Sequence, residues 1–451
     1  DRVEEFADVA KRVFCLEPAF AELCQNLANA LFHLGLTRDA MRFYSRVLCL
    51  ERGGSQTFLG LANCRSALDD FESAKAIFEK GLVLDPHLPS CYSGIANVLE
   101  ADRQFGLTVR FHQHACLLDS TGQAVWNFAL FLLLTKKFEE AWPAYESRWS
   151  SDGVPAKWRR GEERARSFGS PRVNSLSECS GRRVLVWAEQ GVGDELMFGT
   201  MLKEFGGYCG RLLVEVDRRL LPLYRRSFGS EVEWIERGAE VEESRYDLQI
   251  PVGSLGLHLR PSVESFAGHG GGYLVADRDR SERLRASLGV SAEERLVGLS
   301  WRSASPKTGI RRSLGLLELI EALRGPGVRF VSLQYGSVGE EIEEVYRRSG
   351  VRVLECAEVD NFTDLDGLAS LLWGCDEVVT VGNATAHLAG SIGKRAHVLL
   401  PYVAEWRWMH EGDRSVWYDS VRLYRQRERG QWEGVLKELS EQITQERCSG
   451  G

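Results

Sequence analysis

A segment in the middle of the chain, residues 189–194, combines a carboxylate with two closely spaced glycines. Gly191 and Gly193 permit a tight turn and the close approach of a ligand. Asp194 falls at the start of the next predicted helix, where an aspartate commonly caps the helix and where a carboxylate facing a cleft can also act as a general base. The segment lacks the third glycine of a dinucleotide-binding fingerprint, so it does not indicate an NAD site.

Two further polar segments follow predicted strands and could bind the charged part of a ligand. The first carries Lys307, Arg311 and Arg312 on a loop that leads into a helix. Positive charges at such a place suit a phosphate group, although a solvated loop is the alternative. The second carries Gln334 at the end of a strand, where a satisfied turn is the simpler interpretation.

The strongest of these signals is a turn followed by a helix of small residues. The turn contains Asn383, and the helix begins with Ala384 and Thr385 and carries His387. Small residues let the helix pack tightly on a sheet, and the free backbone N–H groups at its start favour a diphosphate. His387 is expected to reinforce this binding, unless it is a satisfied structural histidine.

The elements that must position these segments are strands alternating with helices. Short apolar runs predict strands at 182–187, 212–216, 232–235, 248–252, 296–301, 330–333, 378–381 and 398–400. Strands separated by helices favour parallel sheets, whose ligands bind beyond the carboxyl ends of the strands. We therefore predict a polar connector at 151–181 and two doubly wound Rossmann-like domains at 182–289 and 290–451, with a helix near 430–446.

The first 150 residues repeat with a period of 34 residues. Leucine recurs at 16, 50, 84 and 118, alanine at 40 and 74, an aromatic residue at 44 and 78, and asparagine at 29, 63 and 97. Such a period predicts stacked helical hairpins that form a curved binding groove. Asn29, Asn63 and Asn97 fall on the first helices, where they could hydrogen-bond a peptide backbone. The alternative is that they cap or bridge neighbouring repeats.

Length and composition limit the remaining functions. The chain has 451 residues and a formal net charge of −8, which disfavours a dedicated nucleic-acid binder. No apolar run approaches the roughly 18–20 residues of a membrane span, and no signal peptide is recognisable, so we expect a cytoplasmic protein. The 11 cysteines include no CxxC pair, and only His112 and His114 lie close together, so no metal site is predicted.

The ordered set of motifs resembles known families. The 34-residue repeat resembles the tetratricopeptide (TPR) repeat, and the rest resembles TPR-linked bacterial glycosyltransferases related to glycosyltransferase family 9, the heptosyltransferases, and more distantly to O-GlcNAc transferases. The motifs that carry this resemblance are residues 142–149, 189–194 and 332–334, His387-Leu388-Ala389-Gly390, Trp406-Arg407-Trp408, Trp417-Tyr418 and Arg425-Gln426.

This resemblance implies a TPR solenoid at 1–150 followed by two Rossmann-like domains in the GT-B arrangement, an α + α/β fold. It places the acceptor on the first α/β domain and a nucleotide-sugar on the second. It also implies transfer without a metal or other cofactor, because basic residues and helix N–H groups neutralise the departing diphosphate. The sequence departs from the family pattern at Gly382, where the family has Asp, and at Asn383, where it has Thr.

We therefore predict a metal-independent glycosyltransferase that glycosylates a protein or peptide held by the TPR groove. Asp194 is the predicted base, and the basic loop and the helix of His387 are the predicted diphosphate site. The alternative is a TPR scaffold with an inactive transferase-like domain, for which Gly382 is the main support. A lipopolysaccharide heptosyltransferase is a third interpretation, but such an enzyme has no evident need for a protein-binding array.

Overall fold

The computed structural model describes residues 21–51, 53–120, 122–149, 168–303 and 309–449. The chain divides into two compact units. The first contains residues 1–132 and 143–155, and the second contains residues 133–142 and 156–451. Residues 1–20 of the predicted TPR solenoid, most of the predicted connector, and Lys307 lie outside the described residues.

The first unit is built from consecutive helices that pair as antiparallel hairpins. The helices of the repeat region are α1 (Ala21–His33), α2 (Thr37–Glu51), α3 (Ser55–Ala67), α4 (Phe71–Leu84), α5 (Pro89–Ala101), α6 (Phe105–Leu118), α7 (Gln123–Leu134) and α8 (Phe138–Tyr145). The small residues of the repeat, such as Ala28, Ala62 and Ala96, are fully buried where the helices meet. This packing confirms the predicted TPR-like helical array.

The aromatic register of the repeat fills the space between neighbouring hairpins. The rings of Tyr44 and Phe78 lie directly against Gly60 and Gly94, leaving no room for a side chain at either glycine. In the next repeat the equivalent of these glycines is Phe128, and its ring stacks on His112 at a centroid distance of 5.6 Å. The added bulk of Phe128 accounts for the smaller ring at position 112, where the sequence departs from the aromatic pattern.

The asparagine register lies on the first helix of each hairpin, as predicted. Asn29 and Asn97 are exposed and Asn63 is partly exposed. Asn29 Oδ1 accepts a hydrogen bond of 2.6 Å from the Tyr44 hydroxyl, which links the two helices of one hairpin. This bond lies within one hairpin and does not join neighbouring repeats, so the bridging of repeats and the binding of a peptide by the three asparagines both stay predictions.

The first sheet of the second unit is parallel and four-stranded, with the order β3-β2-β1-β4. Its strands are β1 (Arg183–Trp187), β2 (Arg211–Val216), β3 (Val232–Glu236) and β4 (Leu248–Pro251). Its helices include α9 (Val192–Gly199), α10 (Leu202–Gly206), α11 (Leu221–Phe228) and α12 (Leu255–Leu259). Strand order reverses between β1 and β4, so the helix after β1 begins at the point where a ligand crevice forms.

The second sheet is parallel and six-stranded, with the order β10-β9-β8-β5-β6-β7. Its strands are β5 (Arg295–Ser300), β6 (Val328–Ser332), β7 (Val353–Leu354), β8 (Glu377–Val381), β9 (Ala396–Leu400) and β10 (Val421–Arg425). The remaining helices are α13 (Arg278–Ser287), α14 (Gly309–Arg312), α15 (Leu316–Leu323), α16 (Gly339–Ser349), α17 (Leu365–Gly374), α18 (Ala384–Ser391) and α19 (Glu433–Ser449). Here strand order reverses between β5 and β8, and α18 begins at that point.

The predicted fold class, a TPR-like array followed by two Rossmann-like parallel sheets of GT-B type, is confirmed, and each predicted strand is present. The sequence missed β7 and β10 because one is only two residues long and the other alternates arginines with apolar residues. The predicted boundary at residue 150 also differs, since residues 133–142 pack with the second unit. There the Trp142 indole donates a hydrogen bond of 2.7 Å to the Arg260 carbonyl.

Two chemical properties of the described chain bear on the composition argument. None of the described helices is both long enough and apolar enough to cross a membrane. The described cysteines are free thiols, and Cys24, Cys64, Cys91, Cys179 and Cys375 are buried. Burial raises the pKa of the Cys375 thiol to about 12, so that thiol is protonated at neutral pH.

The buried imidazole of His112 predicts a specific dependence of stability on pH. Both ring nitrogens are buried without a hydrogen-bond partner among the described residues, and burial lowers the pKa of His112 to about 4. The unfolded chain binds a proton at this histidine near pH 6.5, whereas the folded chain does not, so stability is lost as the pH falls from about 6.5 towards 4. Between pH 7 and pH 5 we expect a loss of roughly 2 kcal/mol from this residue.

The measurement is thermal unfolding of the His112→Leu variant and the wild type at both pH values. The variant should lose clearly less stability on acidification than the wild type. His87→Leu, at an exposed position of the same repeat region, is the control and should leave the pH dependence unchanged. Equal pH dependence in wild type and His112→Leu would contradict the account.

Candidate active site

Two helix starts, one from each parallel sheet, meet at the carboxyl ends of the strands. Helix α9 follows β1, and α18 follows β8. A Cβ atom at Gly193 would lie 3.2 Å from His387 Cδ2 and 3.8 Å from Ala384 Cα. Gly193 thus permits the close approach of α18 rather than of a ligand, which corrects the role expected for it. The first glycine of the motif, Gly191, is the N-cap residue of α9.

Asp194 is the centre of a buried ion pair at this junction. Its Oδ1 atom accepts a hydrogen bond of 2.6 Å from Arg407 Nε and lies 2.5 Å from Arg407 Nη2. Its Oδ2 atom accepts a hydrogen bond of 3.3 Å from the Gly191 backbone N–H. Asp194 therefore caps α9 from the third helical position, not from the N-cap position, and Arg407 balances its charge.

A line of alternating charges continues from this pair towards the second sheet. Arg407 Nη1 lies 3.9 Å from Glu405 Oε2, and Arg312 Nη1 lies 2.8 Å from the same oxygen. Arg312 Nη1 also donates a hydrogen bond of 3.2 Å to the Gly382 carbonyl. Of the predicted basic residues, Arg312 is thus at the junction and ion-paired, and Arg311 is half-buried.

The start of α18 is shaped by Asn383, which is its N-cap residue. Asn383 Oδ1 accepts hydrogen bonds of 3.3 Å from the Ala386 backbone N–H and 3.1 Å from the Thr380 hydroxyl. Its Nδ2 atom donates a hydrogen bond of 2.9 Å to Ser300 Oγ. The side chain predicted to bind a ligand is therefore committed to the helix start. The first backbone N–H groups, those of Ala384 and Thr385, have no partner within the helix itself.

His387 lies inside this junction rather than at its surface. Its Nδ1 atom is 3.1 Å from the Tyr418 hydroxyl, and its ring stacks on Trp408 at a centroid distance of 4.7 Å. Burial, with the nearby Arg407 charge, lowers the pKa of His387 to about 3. The imidazole is uncharged at neutral pH, so it adds no positive charge to the site, contrary to the reinforcement expected from the sequence.

Gly382, the departure from the family pattern, has a packing explanation. A Cβ atom at Gly382 would lie 2.8 Å from Trp408 Nε1 and 3.3 Å from Leu400 Cδ2. Trp408 is almost completely buried, and its indole N–H has no hydrogen-bond partner among the described residues. The tryptophan therefore occupies the space that a larger residue at position 382 would need.

Gln334 closes the end of strand β5 and connects it with the start of α18. Its Oε1 atom accepts hydrogen bonds of 3.0 Å from the backbone N–H groups of Trp301 and Arg302, and one of 3.2 Å from Ser300 Oγ. Since the Ser300 hydroxyl also accepts from Asn383, a continuous hydrogen-bonded line runs from β6 to α18. The satisfied-turn interpretation of Gln334 is the one that its side-chain contacts support.

A cavity of about 440 Å³ opens beside Gln334, at the carboxyl ends of β6 and β7. It is lined by Ser332, Gln334, Tyr335, Gly336, Val338, Glu355, Cys356, Val359, Asp360, Asn361 and Phe362. Among the described residues, the lining contains aromatic rings, amides and carboxylates but no lysine or arginine. The sequence reasoning did not find the Asn361 side of this cavity, because β7 is too short to mark the loop as the end of a strand.

Among the described residues, no group of three or more His, Cys, Asp or Glu side chains is placed to hold a metal ion. The two histidines that lie close together in the sequence of the repeat region have different neighbours in the structure. His112 is buried against Phe128, and His114 packs on Tyr92 at a centroid distance of 4.3 Å.

The residues that the sequence reasoning missed belong to the segment before β10. Arg407 and Trp408 were part of a recognised motif, but nothing in their spacing revealed that they contact Asp194 and His387, more than 200 positions and about 20 positions away. Glu405 gave no signal at all. An arginine between two tryptophans was the only available hint, since arginines flanked by aromatic residues favour buried ion pairs.

No protein-family profile matches this chain. The chain is similar to a curated protein of Caulobacter vibrioides, protein FlbA, with 33% identity over 327 residues. The match covers 68% of this chain and 52% of FlbA, so the chain spans about half the length of this relative.

Two solved structures represent the similarities of the fold. A glycosyl transferase family 9 protein from Veillonella parvula has a TM-score of 0.45 and 11% identity, covering 60% of this chain and 97% of that protein. YrrB, a TPR protein with an unusual peptide-binding site, has a TM-score of 0.26 and 22% identity, covering 31% of this chain and 72% of YrrB.

The buried pair predicts a strong and coupled loss of stability when one charge is removed. The Arg407 and Asp194 side chains are only 13% and 11% exposed, so Arg407→Met leaves a carboxylate buried without its counter-charge. We expect a loss of about 3 kcal/mol in the free energy of unfolding. The double variant Arg407→Met/Asp194→Asn should lose less than the sum of the two single variants by at least about 1 kcal/mol.

Thermal and denaturant unfolding of the four proteins measures this coupling. Arg211→Met is the matched control, because Arg211 pairs with Glu233 at the surface, with side chains 61% and 26% exposed. That variant should lose less than about 1 kcal/mol. Strictly additive effects at Arg407 and Asp194 would show that the ion pair does not hold the junction together.

Proposed function

We propose that this protein is a glycosyltransferase that moves a sugar from a nucleotide-sugar to a protein or peptide acceptor. The proposal rests on one observation: the point where strand order reverses in the first sheet lies next to the corresponding point of the second sheet. There the starts of α9 and α18, two arginines and two carboxylates come together beside a cavity of nucleotide size. Ligands of open parallel sheets bind at such reversals. The ordered motifs that resemble TPR-linked glycosyltransferases contribute most of the residues of this junction.

The donor nucleotide would lie along the carboxyl ends of the second sheet. Its nucleoside would occupy the cavity beside Gln334, and its phosphates would extend to the start of α18. The hydrogen-bonded line from Gln334 through Ser300 to Asn383 supports this path, because it joins a residue of the cavity wall to the helix start. The N–H groups of Ala384 and Thr385 and the helix dipole would hold the diphosphate.

The proposal involves no metal ion, so protein side chains must supply the positive charge that stabilises the departing diphosphate. Arg312 and Arg407 are buried at the junction, and Arg311 and Lys307 come from the adjoining basic segment. Their charges would act on the negative charge that grows on the leaving oxygen as the bond to the sugar breaks. His387 would contribute a neutral ring that supports Trp408 and the helix, not a charge.

The acceptor hydroxyl would approach from the side of α9. Its oxygen would form a bond to the anomeric carbon while the bond from that carbon to the diphosphate oxygen breaks, and its proton would pass to Asp194. Oδ1 of Asp194 accepts a hydrogen bond from Arg407, whereas the single hydrogen bond that Oδ2 accepts from the described part of the chain is the long one from Gly191. We therefore assign proton transfer to Oδ2, which retains lone-pair capacity.

The TPR-like array would bind the acceptor protein, with Asn29, Asn63 and Asn97 as candidate contacts to its backbone. Protein glycosylation in the cytoplasm, and the more distant relation to O-GlcNAc transferases, remain parts of this proposal. The alternative of an inactive scaffold rests on Gly382, and heptosyl transfer to lipopolysaccharide is the third candidate. The packing of Trp408 against Gly382 favours activity, because it gives the glycine a structural cause other than loss of function.

Turnover of nucleotide-sugars by the purified chain tests this proposal. Wild type should slowly hydrolyse, or transfer from, at least one member of a panel of UDP-, GDP-, CMP- and ADP-sugars. Asp194→Asn keeps the size and the cap but removes the base, so the rate should fall by about 10²–10⁴-fold. Arg211→Met is the control and should retain the wild-type rate.

Two outcomes would count against the proposal. Turnover by Asp194→Asn at the wild-type rate would remove this residue as the base. Tight binding of a nucleotide-sugar without any turnover would favour the inactive scaffold.

A further inference from the structure

We propose that the cavity beside Gln334 selects nucleotides whose base carries an amino group at the edge far from the ribose, as adenine and cytosine do, and that Asn361 makes this selection. The inference rests on the proposed function, because it takes the cavity to be the place of the donor nucleoside. It goes further in naming the chemical class of the donor base and the atom that recognises it.

The orientation of the Asn361 amide is fixed by its neighbours. Its Nδ2 atom donates hydrogen bonds of 3.3 Å to the Ser332 carbonyl and 3.2 Å to the Gln334 carbonyl. Carbonyl oxygens only accept, so the amide nitrogen must face them and the amide cannot be flipped. Oδ1 of Asn361 therefore presents an acceptor on the remaining side of the group.

This acceptor is buried and unsatisfied. Asn361 Oδ1 has no hydrogen-bond partner among the described residues, and neither has Oγ of Ser332, which is 3% exposed. Both residues line the cavity. Buried polar atoms without partners are uncommon in folded proteins and mark places where a ligand or water completes the set. Two such atoms in one wall point to a polar edge of a ligand.

The walls of the cavity suit the flat face of a base. Tyr335 and Phe362 both line it and pack on each other with ring centroids 6.1 Å apart, and Phe362 is 56% exposed, which is unusual for so large an apolar side chain. The loop of Phe362 is fixed by Arg219, whose Nη1 donates a hydrogen bond of 3.0 Å to the Phe362 carbonyl. A base stacked on these rings would turn its edge towards Asn361.

The lining also contains two carboxyl groups, those of Asp360 and Glu355. Asp360 Oδ1 accepts hydrogen bonds from the backbone N–H groups of Thr363 and Phe362, which hold the pKa of Asp360 below its usual value. Glu355 is the second carboxylate at the cavity. Among the residues that the structure describes, no lysine or arginine lines the cavity beside these two carboxyl groups. The wall therefore favours groups that donate hydrogen bonds.

The bases differ in what they offer at the edge far from the ribose. Cytosine and adenine present an amino group there, which is a donor, whereas uracil and hypoxanthine present a carbonyl oxygen. An amino group would satisfy Asn361 Oδ1, but a carbonyl would bring two acceptors together in a buried site. A site built to hydrogen-bond one group rejects an analogue that leaves its polar atoms unpaired.

Matched pairs of nucleoside diphosphates test the proposal on the unmodified full chain. CDP and UDP have the same ring size and differ in the group at this edge, which is an amino group in CDP and a carbonyl in UDP. ADP and IDP differ in the same way. By calorimetry, CDP should bind at least about tenfold more tightly than UDP, and ADP at least about tenfold more tightly than IDP. Equal or tighter binding of UDP and IDP would overturn the assignment.

A variant then tests the residue. Asn361→Ala should bring both ratios to within about twofold while the affinity for inorganic pyrophosphate stays at the wild-type value, which shows that the phosphate site is intact. Asn174→Ala, at an exposed asparagine beside the other sheet, is the matched control and should keep both ratios. Tenfold selectivity retained by Asn361→Ala would remove this residue as the determinant.

The same measurements distinguish a failure of the base selection from a failure of the proposed function. If the wild type binds all four diphosphates equally, the base selection is wrong and the proposed function stands. If it binds none of them, the nucleotide-sugar proposal itself is overturned, and the base selection with it. The wild-type comparison does not depend on the folding of any variant.

Discussion

The ion pair between Arg407 and Asp194 is the interaction on which the arrangement of the junction depends. It joins the start of α9, the helix after β1, to the segment between β9 and β10 of the second sheet. The two residues are 213 positions apart in the sequence. Both charges are largely buried, so neither can be removed without leaving the other uncompensated. Because Asp194 also caps α9, the pair fixes where the first sheet presents its carboxylate to the second.

Aromatic packing keeps the segment of Arg407 in place. Trp406 packs against Phe198 of α9 at a centroid distance of 6.3 Å, and Trp408 stacks on His387 of α18. The guanidinium of Arg425 donates hydrogen bonds to the Trp408 and Met409 carbonyls from strand β10. The neutral state of His387 follows from this enclosure, since a dry aromatic setting disfavours the charged imidazole. The same enclosure explains why a glycine stands at position 382.

The sequence predicted what depends on local pattern and missed what depends on distant contacts. The 34-residue period and the apolar runs located the repeats and nearly all strands, and the turn before α18 was placed correctly. The roles of Gly193 and Asn383 were misjudged because their true neighbours, Ala384 and Ser300, are far away in the chain. The contact of Arg407 with Asp194 was not predicted for the same reason, since an ion pair between two sheets produces no recognisable residue spacing in the sequence.

A crystal structure of the complete chain with a bound nucleoside diphosphate tests the central claim most directly, that the donor lies along the strand ends of the second sheet. The account predicts phosphate oxygens within about 2.7–3.2 Å of the Ala384 and Thr385 backbone N–H groups, with the base in the cavity against Asn361. Phosphates bound to the first sheet, or a base outside the cavity beside Gln334, would contradict it.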